Sequence, residues 1–596
     1  MFLVALTRAP LNSAGPSVWT PVTTIRGFHL TMVTGSWMAR AIRDGHRWEL
    51  IESVAPELGH VAGLTLVRVS LEAAGATLEI SRSHMGGRPV YYHFNSSGEL
   101  FCSSHVFLLS QAGVLLRENK RSLPEFFIYQ YVLPPNTLFE GIAQIPGGAA
   151  IRIGLIDDRW HLTDLTYHNL SPAGRGGRLQ DADDVAHRAR ELLAQAIAKL
   201  TPRRDALAAL LSGGLDSSVL WTLLHRVHGV PRSYSAGFPF EAPDTNVEKE
   251  YALSAAAAFG SVHCYFEPTP ADYVRGVVES IGAAEVPVQH LQSVLLYLLF
   301  RDGLSSHERL VLTGEGADAM FGLDSLMELF RRERRLFRLR ESPIASRILS
   351  TRPVLRALRS LLALIGKGWA LESTFGSDSP RNVALHNPAH LLWAARRFGN
   401  EEWVCRHFGV KPENVIAERY AVLRRFADRS LYDLWAIYVT GEVAATLSIF
   451  SKLAERSGKV VYAPFLVPEL MELAWLAPWP VKLEAPKNIV RRMARQLGIP
   501  ESIVTRPKSS FGVSPERWAH RHGIFEAFVP LVQTVFGAAE VGAMLVPDHD
   551  RAFTFWSMLN YAIWRSVVIE GETVEHLLDR VGIPPGRGIS RPAADL

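Results

Sequence analysis

The chain has 596 residues, 48% of them hydrophobic and 20% charged, so it is long enough for two or more domains with large cores. Its 63 basic and 59 acidic residues give a net charge of +4, which excludes a general electrostatic field for nucleic acid. Three cysteines without CxxC spacing argue against a disulfide framework and favour a reducing cytoplasm. The longest apolar run, residues 294–300, is too short to span a membrane.

The N-terminal part is predicted to be rich in β-strands. The start of the chain is interpreted as a first strand and not as a signal peptide, because no basic region precedes its few apolar residues. Residues 64–83 and 88–104 each predict two strands around a turn, and residues 145–154 continue the same pattern. We expect one domain over residues 1–167.

A second domain is predicted after a linker. Residues 168–184 are polar and glycine-rich without an apolar period, which indicates the linker. A helix is predicted over residues 185–200, with Asp181 or Asp184 as its cap. Beyond it, short apolar strands alternate with longer helical segments, and the end is mostly helical, so residues 185–596 are predicted to form an α/β domain.

Residues 330–360 form a strongly basic segment with interleaved apolar residues. A solvated helical face is the simpler interpretation. A docking surface for an acidic partner or peptide is the alternative, and the sequence leaves both open.

The string LLSGGLDSS, residues 210–218, lies between an apolar strand and a helix. Gly213 and Gly214 let a ligand approach the backbone, and serines where a helix begins present N–H groups and hydroxyls to an anion. Asp216 adds a carboxylate, which suits a hard cation such as Mg²⁺ held between it and a phosphate. If the GG pair stood alone, a glycine turn capped by serines would be the simpler interpretation. A Walker loop is a different motif, and its GxxxxGK spacing is absent here.

A second apolar strand ends in a glycine-rich loop at residues 310–322, which carries Glu315 and Asp318. In a doubly wound parallel sheet, ligands bind outside the carboxyl ends of the strands. The two loops therefore predict that Asp216 and Asp318 meet around one Mg²⁺, with Glu315 facing the reacting centre.

A third polar loop, residues 503–515, contains Arg506, Lys508 and Ser509. Positive charge is needed where pyrophosphate departs and where a tetrahedral oxyanion forms. A single lysine in such a loop is usually a surface residue, but the late return of this segment makes Lys508 a candidate for that role.

These strings resemble the ATP pyrophosphatase domain of the asparagine synthetase superfamily, with support from residues 232–238, 248–260 and 463–478. The resemblance implies that Asp216 and Asp318 hold Mg²⁺ and that Glu315 and Lys508 are the catalytic candidates. It also implies that ATP is bound by Leu211, Ser212, Gly213, Gly214, Leu215, Asp216, Ser217, Ser218, Ser235, Gly237, Thr313, Gly314 and Gly316.

The first domain resembles the glutaminase-like domain of the same superfamily at residues 86–93 and 136–148. The implied fold is an Ntn-hydrolase-type β-rich sandwich followed by a doubly wound parallel sheet with a helical C-terminal part. Glutamine-using members carry a nucleophilic cysteine directly after the initiator Met. This chain has Phe2 there, so glutamine hydrolysis is expected to be absent.

Two further departures from the family pattern bear on the substrate. Ala445 and Thr446 replace the Asp-Arg pair that asparagine synthetases usually carry before the serine matching Ser448, and Glu315 stands where β-lactam synthetases carry Tyr. The pattern favours a lasso-peptide macrolactam synthetase. Such an enzyme adenylates an Asp or Glu side chain of a precursor peptide and joins it to the N-terminal amine, releasing AMP and pyrophosphate. The expected partners are the precursor peptide, a leader-peptide-binding protein and a leader peptidase.

Other functions remain as alternatives. The nearest is a β-lactam-type or ammonia-dependent asparagine-synthetase-like amide ligase with a small substrate. A non-catalytic relative is disfavoured by the intact Asp216, Glu315 and Asp318. A tRNA-modifying ATP pyrophosphatase is disfavoured because the pI of about 8.9 comes without an obvious RNA-binding module or catalytic cysteine pair.

Overall fold

The structure is a computed structural model. It describes residues 2–9, 11, 20–25, 27–34, 39–44, 47–53, 65–72, 76–83, 87–167, 181–200, 204–230, 232–238, 247–288, 290–321, 401–411, 414–415, 443–482, 484–506, 523–546 and 549–583. The basic segment at residues 330–360 and the catalytic candidate Lys508 lie outside the described residues. No described helix has both the length and the apolar character needed to cross a membrane.

The first domain is built mainly from strands, as predicted. Its described strands are β1 Phe2–Thr7, β2 Thr20–Ile25, β3 Phe28–Thr34, β4 Ala39–Asp44, β5 Arg47–Ser53, β6 Thr65–Glu72, β7 Thr77–Arg82, β8 Tyr91–Phe94, β9 Leu100–Ser103, β10 Ile142–Gln144, β11 Ala149–Ile156 and β12 Arg159–Tyr167. Two short helices accompany them, α1 Val106–Gln111 and α2 Leu123–Tyr129.

These strands form two antiparallel sheets of six strands within the described residues, in the orders β10-β8-β9-β1-β3-β2 and β12-β11-β7-β6-β5-β4. Along β6, the buried Val67, Val69 and Leu71 alternate with more exposed polar residues, so one face of that sheet is apolar. The rings of Phe28 and Trp160, one from each sheet, meet with centroids 5.9 Å apart. The β-rich sandwich is therefore confirmed.

The second domain contains the strands β13 Leu207–Ala209, β14 Arg232–Ala236, β15 Val262–Phe266, β16 Leu310–Leu312 and β17 Val460–Tyr462. Its described helices are α3 Ala182–Ala198, α4 Leu215–His228, α5 Val247–Phe259, α6 Pro270–Ala284, α7 Leu291–Leu298, α8 Ala317–Phe321, α9 Glu401–Phe408, α10 Ala444–Arg456, α11 Pro468–Leu476, α12 Trp479–Lys482, α13 Asn488–Gln496, α14 Glu501–Val504, α15 Val529–Phe536, α16 Ala538–Met544, α17 His549–Trp564 and α18 Val574–Arg580.

The strands of the second domain run parallel. β13, β16 and β17 pair in that order, and β14 pairs with β15. Leu210 joins the two groups, because its amide donates to the Leu312 carbonyl at 3.1 Å and it forms a parallel bridge to Tyr234. The order is thus β15-β14-β13-β16-β17, which reverses between β13 and β16. This is the doubly wound arrangement, and its ligand crevice lies at that reversal.

Of the two predicted caps, Asp181 is the one that the structure confirms, so the helix begins before the predicted end of the linker. Helix α3 begins at Ala182, and the side chain of Asp181 caps it by accepting a hydrogen bond from the amide of Asp184 at 2.8 Å. The last residues of the predicted 168–184 linker are therefore helical. An N-terminal turn stabilised by a cap and acidic side chains carries no apolar period, so periodicity alone misses it.

Lys482, at the end of α12, is 4% exposed and donates to the carbonyl of Ala474 at 2.7 Å. Burial lowers the pKa of Lys482 to about 7, against 10.5 for the ordinary side chain. The unfolded chain therefore binds more protons between pH 7 and 10.5, so the folded protein loses stability as pH falls through that window. Each unit by which the pKa of Lys482 is lowered corresponds to about 1.4 kcal/mol in the free energy of unfolding.

Replacing this lysine by methionine is expected to stabilise the protein most at pH 7 and below, with the advantage shrinking toward pH 10. Denaturant unfolding of wild type and Lys482→Met across pH 6.5–10 measures the difference. Lys199→Met, which removes a surface lysine that is paired with Glu469, is the control and should show no such trend. A stabilisation that grew with pH would contradict the assignment.

Candidate active site

The string Ser212–Ser218 forms a strand–loop–helix unit, as predicted: β13 leads into the loop, and α4 begins at Leu215 with Gly214 as its N-cap. Gly213 has φ +72°, and a Cβ atom on it would collide with the carbonyl oxygen of Tyr251. Only glycine fits such a position. The loop is therefore held tightly against α5, and the N-terminal end of α4 borders the crevice.

Hydroxyl groups fix the shape of this loop. The amide of Gly214 donates to Ser212 Oγ at 3.3 Å, and the Ser217 hydroxyl donates to the Gly214 carbonyl at 3.0 Å. The Ser212 and Ser217 oxygens lie 3.2 Å apart. Ser218 is fully buried in the first turn of the helix. Ser212 and Ser217 thus offer their hydroxyls near the helix N-terminus, while Ser218 belongs to the core.

Asp216 and Asp318 lie together, although 102 residues separate them in the sequence. Asp216 is in the first turn of α4 and Asp318 in the first turn of α8. Gly314 makes this approach possible, because a Cβ atom on it would lie 3.2 Å from Cβ of Asp216. The carboxyl ends of β13 and β16 therefore bring the two acids to one point, as the sequence predicts.

Lys487 lies between the two carboxylates, with Nζ 2.5 Å from Asp216 Oδ2 and 2.8 Å from Asp318 Oδ1. Burial by itself would lower the pKa of Lys487, but the two acids outweigh it and raise the pKa above the ordinary value. The ammonium is therefore charged at every physiological pH. One fixed cation thus sits where negative phosphates would approach.

Sequence reasoning missed Lys487, because the two features that distinguish it are visible only in the structure. It precedes the first residue of α13, where the helix macrodipole disfavours a cation. Its backbone has φ +53°, a left-handed conformation that is uncommon for residues other than glycine. A residue kept in such a conformation points to a specific partner, which here is the pair of acids.

The crevice is a cavity of about 530 Å³ at the carboxyl ends of β13, β14 and β16. The predicted site residues that line it are Ser212, Gly214, Leu215, Asp216, Ser217, Ser235, Thr313, Gly314, Glu315, Gly316 and Asp318. Other predicted positions lie behind this surface. Leu211 is fully buried, and a Cβ atom on Gly237 would collide with the Tyr265 hydroxyl, so both support the wall from within.

Two arginines add positive charge to this cavity. Arg506, from the predicted loop 503–515, donates to the Gly213 carbonyl at 2.8 Å and lies over the ring of Tyr251. Arg491, which the sequence analysis missed, lines the cavity from α13 and donates to the carbonyl of Pro486 at 2.9 Å. With Lys487, these side chains place three positive charges around the cavity.

The residues present fit a magnesium ion. Within the described residues, no group of three or more His, Cys, Asp or Glu side chains is placed to hold a metal. Mg²⁺ usually needs only one or two carboxylates, with phosphate oxygens and waters as its other ligands. Asp216 and Asp318 carry two negative charges against one from Lys487, so a divalent cation beside a phosphate is still attracted to them.

Helix α10 forms the opposite wall of the cavity. Val443, Thr446 and Phe450 face the cavity from its first turns. None of these three side chains is charged, so among the described residues this face of α10 offers no ion-pair partner for the α-amino or α-carboxyl group of a free amino acid. Ala445, which the sequence analysis paired with Thr446, lines a second cavity of about 70 Å³ on the other side of the helix.

The first domain has no activated thiol within the described residues. Phe2 begins β1 with its side chain fully buried, and its amide donates to Ser104 Oγ at 2.9 Å. Cys102 pairs across the sheet with Val4 and is also fully buried. Burial raises the pKa of this thiol well above its usual range. The thiolate, which is the reactive form, is therefore suppressed.

Comparison with known proteins agrees with this geometry. The family model described as asparagine synthase matches residues 188–534, and the model of a glutamine amidotransferase domain matches residues 69–159. A putative asparagine synthetase (glutamine-hydrolyzing) of Mycobacterium tuberculosis is 22% identical over 530 residues, covering 83% of this chain and 75% of the relative. The asparagine synthetase (glutamine-hydrolyzing) 1 of Bacillus subtilis is 24% identical over 518 residues, covering 82% and 75%.

A shorter similarity extends to another amide-forming enzyme. The carboxyethyl-arginine β-lactam-synthase of Streptomyces clavuligerus is 28% identical over 184 residues, which is 30% of this chain and 34% of the relative. The first family model covers more than half of the chain. The protein is an AMP-forming carbon–nitrogen ligase that uses ATP, and the chain belongs to the asparagine synthase family.

Proposed function

We propose that this ligase is a lasso-peptide cyclase. It adenylates an internal Asp or Glu side chain of a precursor peptide and joins it to the peptide's own N-terminal amine, giving an isopeptide ring. The main support for this proposal is that the chain must obtain its amine from a source other than glutamine. Cys102, the one cysteine in residues 1–167, is buried and has a raised pKa, so the glutaminase-like domain lacks a thiolate that could release ammonia from glutamine.

The walls of the cavity support a substrate other than free aspartate. Thr446 and its neighbours on α10 are uncharged, so no described side chain on that wall pairs with a small zwitterion. Glu315 lines the cavity at the position where β-lactam synthetases carry Tyr, which argues against a β-lactam product. A side-chain carboxylate on a peptide brings no such charges with it, and therefore suits a neutral wall.

In the first step, a carboxylate oxygen of the substrate attacks the α phosphorus of ATP, and the bond to the bridging oxygen breaks to release pyrophosphate. The loop Ser212–Ser218 cradles the phosphates, and Lys487, Arg491 and Arg506 offset the negative charge that leaves. Mg²⁺, held by Asp216 and Asp318, would supply further charge neutralisation when bound.

In the second step, the amine nitrogen bonds to the acyl carbon, the carbon–oxygen bond to AMP breaks, and the amine gives up a proton. Glu315 lines the cavity and is half-buried, so its carboxylate is placed to accept that proton or to orient the amine. Lys508 remains a proposal for stabilising the oxyanion. A peptide folded so that its two reacting ends meet would contribute through proximity.

The proposal implies partners. A precursor peptide needs its leader recognised and removed before its N-terminal amine is free, so we propose a leader-peptide-binding protein and a leader peptidase. No role in binding nucleic acid is proposed, because the overall charge is nearly balanced.

The test mixes the purified protein, a candidate precursor peptide, the processing proteins and Mg-ATP. We expect the core peptide to lose the mass of one water, with AMP and pyrophosphate formed in equal amounts. ADP as the product would contradict the whole scheme. Omitting the peptide is the control, and a second arm supplies ammonia and aspartate instead. Asparagine formed in that arm would replace the cyclase by an ammonia-dependent asparagine synthetase.

A further inference from the structure

Six ionisable side chains form a buried cluster between the two domains, called here the interdomain cluster: Arg82, Arg88, His105, Glu285, Lys452 and Glu455. Arg82, Arg88 and Lys452 are each 2% exposed. Charged side chains are rarely buried this completely unless they are paired. The cluster therefore joins the domains through specific ion pairs and hydrogen bonds and not through a hydrated surface.

Helix α10 is the part of the second domain that receives these contacts. Its Glu455 is ion-paired with Arg88 and lies 3.1 Å from Nε2 of His105, both from the first domain. Burial alone would raise the pKa of Glu455, but Arg88 and His105 lower it well below its usual range. This carboxylate is therefore charged at neutral pH, and the C-terminal end of α10 is tied to the first domain.

The middle of α10 is anchored through Glu285, the C-cap residue of α6. The Lys452 ammonium is ion-paired with the Glu285 carboxylate. The same carboxylate accepts hydrogen bonds from the amides of Val106 at 3.0 Å and Phe107 at 2.9 Å, which begin α1 of the first domain. Carboxylates are stabilised at helix N-termini, so this contact fastens the two domains together.

Arg82 contacts the same helix at Ser448, one turn from its N-terminal end. Its guanidinium donates to the Ile145 carbonyl within the first domain and to Ser448 Oγ in α10, both at 2.7 Å. The Ser448 hydroxyl in turn donates to the carbonyl of Ala444 at 2.7 Å. Two consecutive hydrogen bonds thus run from β7 of the first domain to the N-terminal end of α10.

Residues around this contact also line the active-site cavity. Thr446 and Phe450 face the cavity, while Ser448 and Lys452 on the other side of the helix meet the first domain. A helix end that shifts by a fraction of an ångström would move the wall, because protein interiors are close-packed. The position of the wall therefore depends on what holds the opposite side of α10.

We propose that Arg82 is a positioning residue for the active-site cavity, which holds the nucleotide as well as the acyl substrate: through Ser448 it holds the first turn of α10, and the glutaminase-like domain serves as a brace for the cavity wall. This gives a domain without an activated thiol a role in the synthetase reaction. The inference rests on ATP use by the family and not on the peptide substrate.

The test measures Mg-ATP binding by calorimetry and amide hydrogen exchange of residues 444–448. Arg82→Met and Ser448→Ala are each expected to weaken binding roughly three- to tenfold and to speed exchange in this turn. Arg82→Lys should rescue part of the loss, because it keeps a donor for Ser448 but not the second, forked contact. Arg152→Met, which removes an exposed arginine paired with Glu79, is the control and should leave binding unchanged.

The double variant Arg82→Met/Ser448→Ala tests whether Arg82 acts on α10 through Ser448. Because both residues act in one chain of hydrogen bonds, it should bind Mg-ATP no more weakly than the worse single variant. Additive losses, or unchanged binding by a folded Ser448→Ala protein, would overturn the proposal. If Arg82→Met does not fold, Ser448→Ala alone decides. A failed cyclisation assay leaves these binding results unaffected, so the two proposals fail separately.

Discussion

Asp216→Asn and Asp318→Asn are each expected to lower AMP formation about a thousandfold or more. Each variant removes one of the two negative charges that meet at the ends of β13 and β16. A metal held there contributes several kcal/mol of charge stabilisation, and each ~1.4 kcal/mol changes the rate tenfold. The measurement is the initial rate of AMP release with saturating substrate at several Mg²⁺ concentrations.

If the two acids bind the metal, the loss of activity should shrink as the Mg²⁺ concentration is raised, because mass action partly restores the occupancy of the metal site. Asp183→Asn is the matched control, since Asp183 pairs with Arg492 on the surface with its side chain 67% exposed. That variant should retain wild-type activity. An Asp216→Asn protein that is folded and fully active would exclude the proposed metal site.

Lys487→Met is expected to lower the rate about a hundred- to a thousandfold, the range found when one charge-stabilising donor is removed from an active site. The two acids hold the Lys487 ammonium between them and raise its pKa. Without it, Asp216 and Asp318 repel each other and the departing pyrophosphate loses a cation. Initial rates of AMP release with saturating Mg-ATP check this.

A double-mutant cycle separates this role from general destabilisation. Asp216→Asn and Lys487→Met remove partners of one ion pair, so the double variant should lose less activity than the sum of the two single losses. Lys487→Arg keeps the charge but not the compact shape, and partial activity is expected. A Lys487→Met protein with unchanged activity, or strictly additive losses, would mean that the ion pair has no part in the reaction.

Local patterns in the sequence were sufficient to predict the loop at Ser212–Ser218 and the two acids near it. The string around Ser212–Ser218 predicts strand, loop and helix because glycine, serine and apolar periodicity each act over a few residues. The meeting of Asp216 with Asp318 could also be predicted, because parallel strands place their carboxyl ends at one edge of the sheet. The alternating strands of the first domain were predicted for a similar reason.

Other features of the site and the fold were not predicted from local sequence patterns. Helix α3 begins at Ala182 and not after the predicted linker, because capping carboxylates and not apolar residues define its first turn. Arg491 lies on an amphipathic helix, where a basic residue is usually a solvated one. The predicted Lys508 lies outside the described residues, whereas Arg506 from the same segment reaches the cavity.

The sequence by itself determined the two folding units, the glycine–serine loop and the meeting of Asp216 with Asp318, because these depend on short-range conformational preferences and on one rule of sheet topology. Only the tertiary structure placed Lys487 between acids as far as 271 positions away, and only it gave α10 one face in the cavity and another on the first domain. Periodicity shows which face of a helix is buried, but the partner of that face depends on how all the elements pack together.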